Sequence, residues 1–113
     1  MPVEQVPVKQ TTSDYGTAAA ATAVVLTYAA LPGLAHRLHS IIASYSAAPT
    51  GGTLKVEDGS GVTVFQCHIT AAGPTVIPLP VGLIGSKNTA LVVTLASGAG
   101  AVVGMLNCQH SLY

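Results

Sequence analysis

The sequence predicts an all-β fold, an antiparallel β-sandwich or jelly roll of about seven to eight strands. Short runs of alternating apolar and polar residues recur roughly every 8 to 15 residues, and Gly-rich turns separate them. No run shows a convincing helical period. A chain of 113 residues has the length of one domain. We assign that domain to residues 17–113, after an extended N-terminal arm of residues 1–16.

The arm, MPVEQVPVKQTTSDYG, contains two prolines, which exclude a regular helix because proline lacks an amide N–H. Valines spaced among polar residues suit a strand laid on a neighbouring surface, and a disordered tail is the alternative. We expect that removing residues 1–16 leaves the β-domain folded. The predicted partner-contact residues of the arm are Val3, Val6, Pro7 and Val8.

The uncharged run TAAAATAVVLTYAALPGLA, residues 17–35, has the composition of a signal peptide or a membrane span. Its three threonines, its Pro-Gly pair and the polar stretch before it disfavour both. Val24, Val25, Thr27 and Tyr28 favour β structure. We therefore predict a buried strand followed by a turn, and no membrane partner.

The next runs alternate clearly. In HRLHSIIASYS the alternation predicts one face with Leu38, Ser40, Ile42 and Ser44, and an opposite face with His39, Ile41, Ala43 and Tyr45. TLKVED and VTVFQCHIT flank an Asp-Gly-Ser-Gly turn, a strong hairpin signal.

Three further strands and a loop follow the hairpin. TVIPLP is predicted to be a short strand, and its prolines place it at a sheet edge. VGLIGSKN is predicted to be a loop. TALVVTLA and AVVGMLNCQHSL form the last two strands, with an SGAG turn between them.

Charge is scarce in this chain. Charged residues make up 7% of the sequence, against about 25% in ordinary soluble domains. None follows Lys87. We expect copies of the chain or a larger assembly to cover much of this surface. A formal net charge of zero and the lack of a basic cluster argue against nucleic acid as a partner.

No catalytic, cofactor or metal site is predicted. Glu57 and Asp58 lie side by side at a turn, whereas general acid and base catalysis needs carboxyls that converge across a cleft. The sequence contains no phosphate-binding loop and no nucleophile elbow. A carbohydrate site usually presents aromatic platforms, and this chain has no tryptophan and four scattered tyrosines.

The histidines and cysteines are the candidate metal ligands. His36 and His39 fall on opposite faces of a strand, and His68 and His110 are placed to meet across strands. Alternation is expected to turn each cysteine away from its neighbouring histidine, so no shared ion is predicted. Cys67 and Cys108 are predicted to be buried, reduced thiols, and a single bridge between them stays open.

The run RLHSIIASYSAAPTGGTLKVEDGSGVTVFQCHITAAGPTVIPLP, continued by NTALVVTLASGAGAVVGMLNC, resembles small virion proteins of tailed bacteriophages. The likeness covers roughly residues 36 to 108 and consists of turn and strand patterns without a catalytic signature. It implies a non-enzymatic β-sandwich that decorates or cements the capsid, as a homo-oligomer with a trimer favoured.

The same resemblance implies the major capsid protein as partner and the capsid surface of the virion as location, with assembly in the host cytoplasm. The alternative function is a receptor- or carbohydrate-binding module of a phage fibre or collar. Stoichiometry separates the two, because cement proteins are present in hundreds of copies per particle and fibre modules in few.

Overall fold

The computed structural model describes residues 12–112, without the side chains of residues 80 and 81. Within that range eight strands form two four-stranded sheets. The strands are β1 (Thr12–Thr17), β2 (Val24–Tyr28), β3 (His36–Tyr45), β4 (Thr53–Asp58), β5 (Thr63–His68), β6 (Gly73–Ile84), β7 (Leu91–Leu95) and β8 (Gly104–Leu112).

The strand order identifies the fold as a jelly roll. The front sheet has the order β1-β8-β3-β6 and the back sheet has the order β2-β7-β4-β5. Every neighbouring pair is antiparallel. The chain passes from one sheet to the other at every connection except the β4–β5 hairpin, which is the connectivity of a double-sheet jelly roll. The predicted fold class is confirmed.

The core lies between the sheets and follows the period of two along each strand. Leu106 of β8 and Leu95 of β7 are fully buried from opposite sides. Tyr45 closes one end of this core, and its hydroxyl donates a hydrogen bond to the Ala96 carbonyl oxygen at 2.6 Å. Full burial of each leucine contributes about 1.5 to 3 kcal/mol before entropy losses. The other fully buried side chains are Leu38, Ile41, Ala43, Leu54, Val56, Leu91, Val93 and Cys108.

The β4–β5 hairpin forms where the Asp-Gly-Ser-Gly signal predicted it. The Asp58 amide donates to the Val62 carbonyl oxygen at 2.8 Å. Gly59 and Gly61 have φ angles of 82° and 78°, a region that favours glycine because it has no Cβ.

The face assignment in β3 needs a correction. A β-bulge at His39 shifts the register between Leu38 and Ser40. Leu38 is therefore buried together with Ile41, although strict alternation placed it on the opposite face. Past the bulge, Ser40, Ile42 and Ser44 share the outward face, as predicted.

Residues 12–16, assigned to the arm from sequence, lie in β1 instead. They pair with β8 at the edge of the front sheet. The two prolines of the arm precede this stretch, so its amides are free to join a ladder. Gly16 allows the strand to pass close to β2, because a Cβ there would lie 2.9 Å from Leu26 Cδ2.

Two other elements differ in extent from their predictions. Residues 17–35 were predicted to form a buried strand followed by a turn. Within them β2 occupies only Val24–Tyr28, and a turn with Ala21 at φ 58° precedes it. β6 continues through residues 81–84, which were predicted to be a loop. β6 is an edge strand, as its prolines predicted. The described residues contain no helix long and apolar enough to span a bilayer.

Candidate functional site

Three rows of uncharged residues on the outward side of the front sheet form a surface, here called the front face. Beyond these rows on the same side, strand register places the charged Arg37 beside Ser111 and Ile84. Strand register arranges the front face in three rows of four residues. None of these residues is charged. The rows are Ser13, Gln109, Ser40 and Pro78; Tyr15, Asn107, Ile42 and Val76; and Thr17, Met105, Ser44 and Pro74.

Large apolar side chains of the front face stand in solvent. Tyr15 is 76% exposed, Val76 is 62% exposed and Met105 is 49% exposed. The polar groups partly satisfy one another, since the Gln109 side-chain amide donates to Ser13 Oγ at 3.1 Å. Uncharged, partly apolar surfaces of this kind are typical of contacts between subunits.

The outward side of the back sheet, here called the back face, carries charge. Register places Lys55 in a row with Val25, Thr94 and Gln66. Lys55 Nζ lies 3.6 Å from a Glu57 carboxylate oxygen on the same face. This face therefore combines an ion pair with exposed valines, among them Val25 and Val64.

Both acids at the hairpin bind turn and loop groups. Glu57 accepts a hydrogen bond from the Gly61 amide at 3.1 Å. Asp58 accepts from the Ser86 amide at 2.9 Å and from the Ser86 hydroxyl at 2.6 Å. These bonds hold the hairpin and tie it to the loop after β6, which is the turn role predicted for the pair.

A second feature is a pair of buried histidines at one end of the sandwich. His36 of β3 and His110 of β8 are 3% and 7% exposed. His36 Nδ1 and His110 Nε2 lie 2.8 Å apart, and His36 Nε2 lies 2.7 Å from the Ala29 carbonyl oxygen. The His110 ring stacks on Tyr28 with centroids 3.9 Å apart and planes 10° from parallel.

Strand β1 adds a carboxylate to this end of the sandwich. The Tyr28 hydroxyl and the Thr12 hydroxyl each donate to Asp14 Oδ2 at 3.0 Å. Burial raises the pKa of Tyr28, with smaller contributions from Cys108 and Asp14. Burial also lowers the pKa of His110, and His36 lowers it further. These groups line an open cleft of about 410 Å³. We refer to Asp14, Tyr28, His36 and His110 as the histidine cluster.

The sequence pattern did not predict the contact between His36 and His110. It placed His110 near His68, but His68 belongs to β5 of the back sheet, where its Nδ1 lies 3.3 Å from Thr53 Oγ1. The pairing of β3 with β8 brings His36 to His110 across 74 positions of sequence. Only the jelly-roll strand order, which no local pattern encodes, places the two rings together.

The cysteines are free thiols in different sheets, Cys67 in β5 and Cys108 in β8. Burial raises the pKa of Cys108 to about 12 and raises that of half-buried Cys67. Cys108 and His110 are two positions apart and both point inward, so the expectation that they diverge is wrong for this pair. Within residues 12–112 no three His, Cys, Asp or Glu side chains are placed to share a metal ion.

The predicted partner-contact residues of the arm, Val3, Val6, Pro7 and Val8, lie outside the described residues. Their role stays a prediction.

No family model and no curated protein matches this chain. Several solved structures are similar to it. A virus-like particle of the extra small virus of the giant freshwater prawn Macrobrachium rosenbergii aligns at TM-score 0.41 and 11% identity, over 98% of this chain and 83% of that one.

The carbohydrate-binding module CBM36, solved with calcium and xylotriose, aligns at TM-score 0.42 and 18% identity, over 93% of this chain and 92% of the module. The infectious bursal disease virus Gx strain aligns at TM-score 0.25 and 14% identity, over 99% of this chain and 35% of that one. The neighbours thus include proteins of viral particles and a carbohydrate-binding module. At these scores and identities, the likeness assigns no function to this chain.

Proposed function

We propose that this chain is a structural virion protein, a capsid decoration or cement protein that binds the phage head as an oligomer. The observation that supports this most directly is the uncharged front face, on which Tyr15 and Val76 stand largely in solvent. A partner that covers this face buries apolar side chains without stripping water from any charged group of the face.

We propose a homotrimer in which the front face of each copy packs against the next copy around a closed three-fold ring. The back face, with its Lys55–Glu57 ion pair, stays outward. In this arrangement the front face adds no charge to the subunit contact, so apolar burial drives its share of the association. The major capsid protein is the proposed partner of the assembled ring, on the capsid surface.

The arm has a defined origin in this proposal. β1 is the last strand of the front sheet, so residues 1–11 leave the domain from a sheet edge next to the front face. An edge strand offers backbone groups to a neighbouring chain by strand addition. We propose that Val3, Val6, Pro7 and Val8 use this route to contact a neighbouring subunit.

Sedimentation of two matched variants tests the contact surface. Val76→Lys places a charge on the front face, and Val25→Lys places one at a comparably exposed valine of the back face. We expect the wild-type chain and Val25→Lys to sediment as an oligomer of the 11.3 kDa chain. Val76→Lys should weaken association at least tenfold, which corresponds to about 1.4 kcal/mol.

A stable wild-type monomer at high micromolar concentration would contradict the oligomer, and equal effects of the two lysines would contradict the choice of face. Mass spectrometry of purified particles tests the virion role through copy number, with hundreds of copies expected. A monomer that binds oligosaccharides on a glycan array would instead support a receptor- or carbohydrate-binding module.

Two deletions separate the arm from the domain. Removal of residues 1–11 should leave the melting temperature of the isolated domain unchanged but weaken attachment to particles several-fold. Removal of residues 1–17 also deletes β1 and should lower the melting temperature, because β8 then loses its edge partner. Full attachment after the shorter deletion would exclude the arm as a clamp.

A further inference from the structure

The histidine cluster joins both sheets through one set of side-chain contacts. Asp14 comes from β1, Tyr28 from β2, His36 from β3 and His110 from β8. The Tyr28–Asp14 hydrogen bond connects edge strand β1 to the back sheet, and the stacked ring of His110 lies against the same tyrosine. The Thr12 hydroxyl, at the start of β1, lies 3.3 Å from the His110 carbonyl oxygen. The His110 ring therefore contacts β1 indirectly, through Tyr28 and Asp14.

Hydrogen-bonding rules fix how many protons the pair can hold. The Ala29 carbonyl oxygen only accepts, so His36 Nε2 must carry a hydrogen. The 2.8 Å contact between His36 Nδ1 and His110 Nε2 has room for one hydrogen. In the neutral pair this hydrogen is on His110 Nε2, which donates it to His36 Nδ1. One added proton fits on His110 Nδ1 and leaves both bonds intact. A second added proton would place hydrogens on both His36 Nδ1 and His110 Nε2, and these two N–H groups would repel each other.

Other titratable groups around the pair do not remove this limit. The Asp14 carboxylate favours a charged His110, whereas His36 and His39 of β3 oppose it. His39 Nε2 is bound to Ser111 Oγ at 2.7 Å. Burial raises the pKa values of Tyr28 and Cys108, so both are neutral in the acidic range.

We propose that the His36–His110 pair is an acid-sensitive latch, which holds β1 against β2 while the pair carries at most one proton and opens when both imidazoles are protonated. This goes beyond the proposed function and does not depend on it. Acid would then release β1 while the rest of the sandwich stays folded.

The direction of the pH effect follows from proton counting. The open state binds two protons below the ordinary histidine pKa, and the closed state binds no more than one. Acid therefore favours opening, and stability of the closed end is lost as pH falls below about 6.5, by at least about tenfold in the opening equilibrium per pH unit. Above that range the latch is fully closed.

Nitrogen-15 NMR of the histidine rings, recorded from pH 8 to pH 5 with amide hydrogen exchange on the full chain, tests the latch. We expect both rings as Nε2–H tautomers at high pH. Amides of β1, corrected for intrinsic exchange, should open at least about tenfold more per pH unit below about 6.5, ahead of β3. Two fully protonated rings in a chain whose β1 amides stay protected would overturn the proposal.

A double variant and a control sharpen the result. His36→Gln with His110→Phe removes both titrating rings, keeps a donor for Ala29 and keeps an aromatic ring on Tyr28. Its β1 exchange, after the same correction, should vary little across this pH range. His68→Gln, at an exposed histidine outside the cluster, should keep the acid response of the wild type. If His68→Gln abolishes the response, the latch is wrong. If the double variant does not fold, the wild-type titration decides alone.

Discussion

The front face and the back face differ in charge, although antiparallel strands form both. The twelve outward positions of the front face, three from each of its four strands, include no charged residue. The back face pairs Lys55 with Glu57 near its centre. Each sheet turns the same kind of apolar side chain inward, so the inner faces do not explain the difference. The average composition of a chain therefore does not show which of its surfaces lacks charge.

Core substitutions in the two sheets should lower stability by similar amounts. Leu106→Ala in the front sheet and Leu95→Ala in the back sheet each remove a fully buried side chain. Each should lower the free energy of unfolding by about 2 to 5 kcal/mol, because a cavity remains in a closely packed core. Denaturant unfolding measures both. A loss below about 1 kcal/mol in only one sheet would mean that the core is not shared.

Loss of one carboxylate should have a smaller effect, at the end of the back sheet. Asp58→Asn weakens two hydrogen bonds to Ser86 that tie the hairpin to the following loop. We expect about 1 to 2 kcal/mol less stability, since bonds to a charged acceptor exceed those to a neutral one. Ser86→Ala, measured in the same way, should reproduce part of the loss, and no loss in either variant would contradict this role.

The back-face ion pair should matter least to stability. Lys55→Met removes a contact at 3.6 Å whose lysine side chain is 38% exposed. Exposed pairs of this kind contribute about 0 to 1 kcal/mol, and salt screens them. We therefore expect a change below about 1 kcal/mol in chemical denaturation. A larger loss, or a change in oligomeric state, would mean that the back face is also a contact surface.

Salt should have almost no effect on self-association through the front face. The proposed contact adds no charge from this face, so raising sodium chloride from about 0.1 M to about 0.5 M, which shortens the screening length about twofold, should leave the sedimentation profile unchanged. Dissociation by salt would show that charged groups, and thus some other surface, carry the contact.

Local sequence signals predicted the features that depend on neighbouring residues. The Asp-Gly turn predicted the β4–β5 hairpin, and the prolines of TVIPLP predicted that β6 lies at an edge. The low charge predicted a surface available for assembly, but not which one. Only the register of β1, β8, β3 and β6 places Tyr15, Asn107, Ile42 and Val76 in one row.

The misses share one physical origin, which is dependence on long-range pairing. Residues 12–16 carry weak strand propensity, and β8 stabilises them as a strand from about a hundred positions away. The bulge at His39 reverses the side on which Leu38 packs, and no turn residue marks its position in the sequence. His36 and His110 meet for the same reason, since β3 and β8 pair only in the completed jelly roll.

The pairing of β1 with β8 also has a kinetic consequence. The first described strand hydrogen-bonds to the last, so the front sheet cannot close until almost the whole chain has been synthesised. Synthesis of a chain of this size takes on the order of ten seconds. The local β4–β5 hairpin is available early and β3 can first pair with β6, whereas β1 waits for β8. Folding should therefore be slow for a small domain, on the millisecond to second scale of non-local β proteins. During that wait, the uncharged strands of one nascent chain are exposed to those of its neighbours.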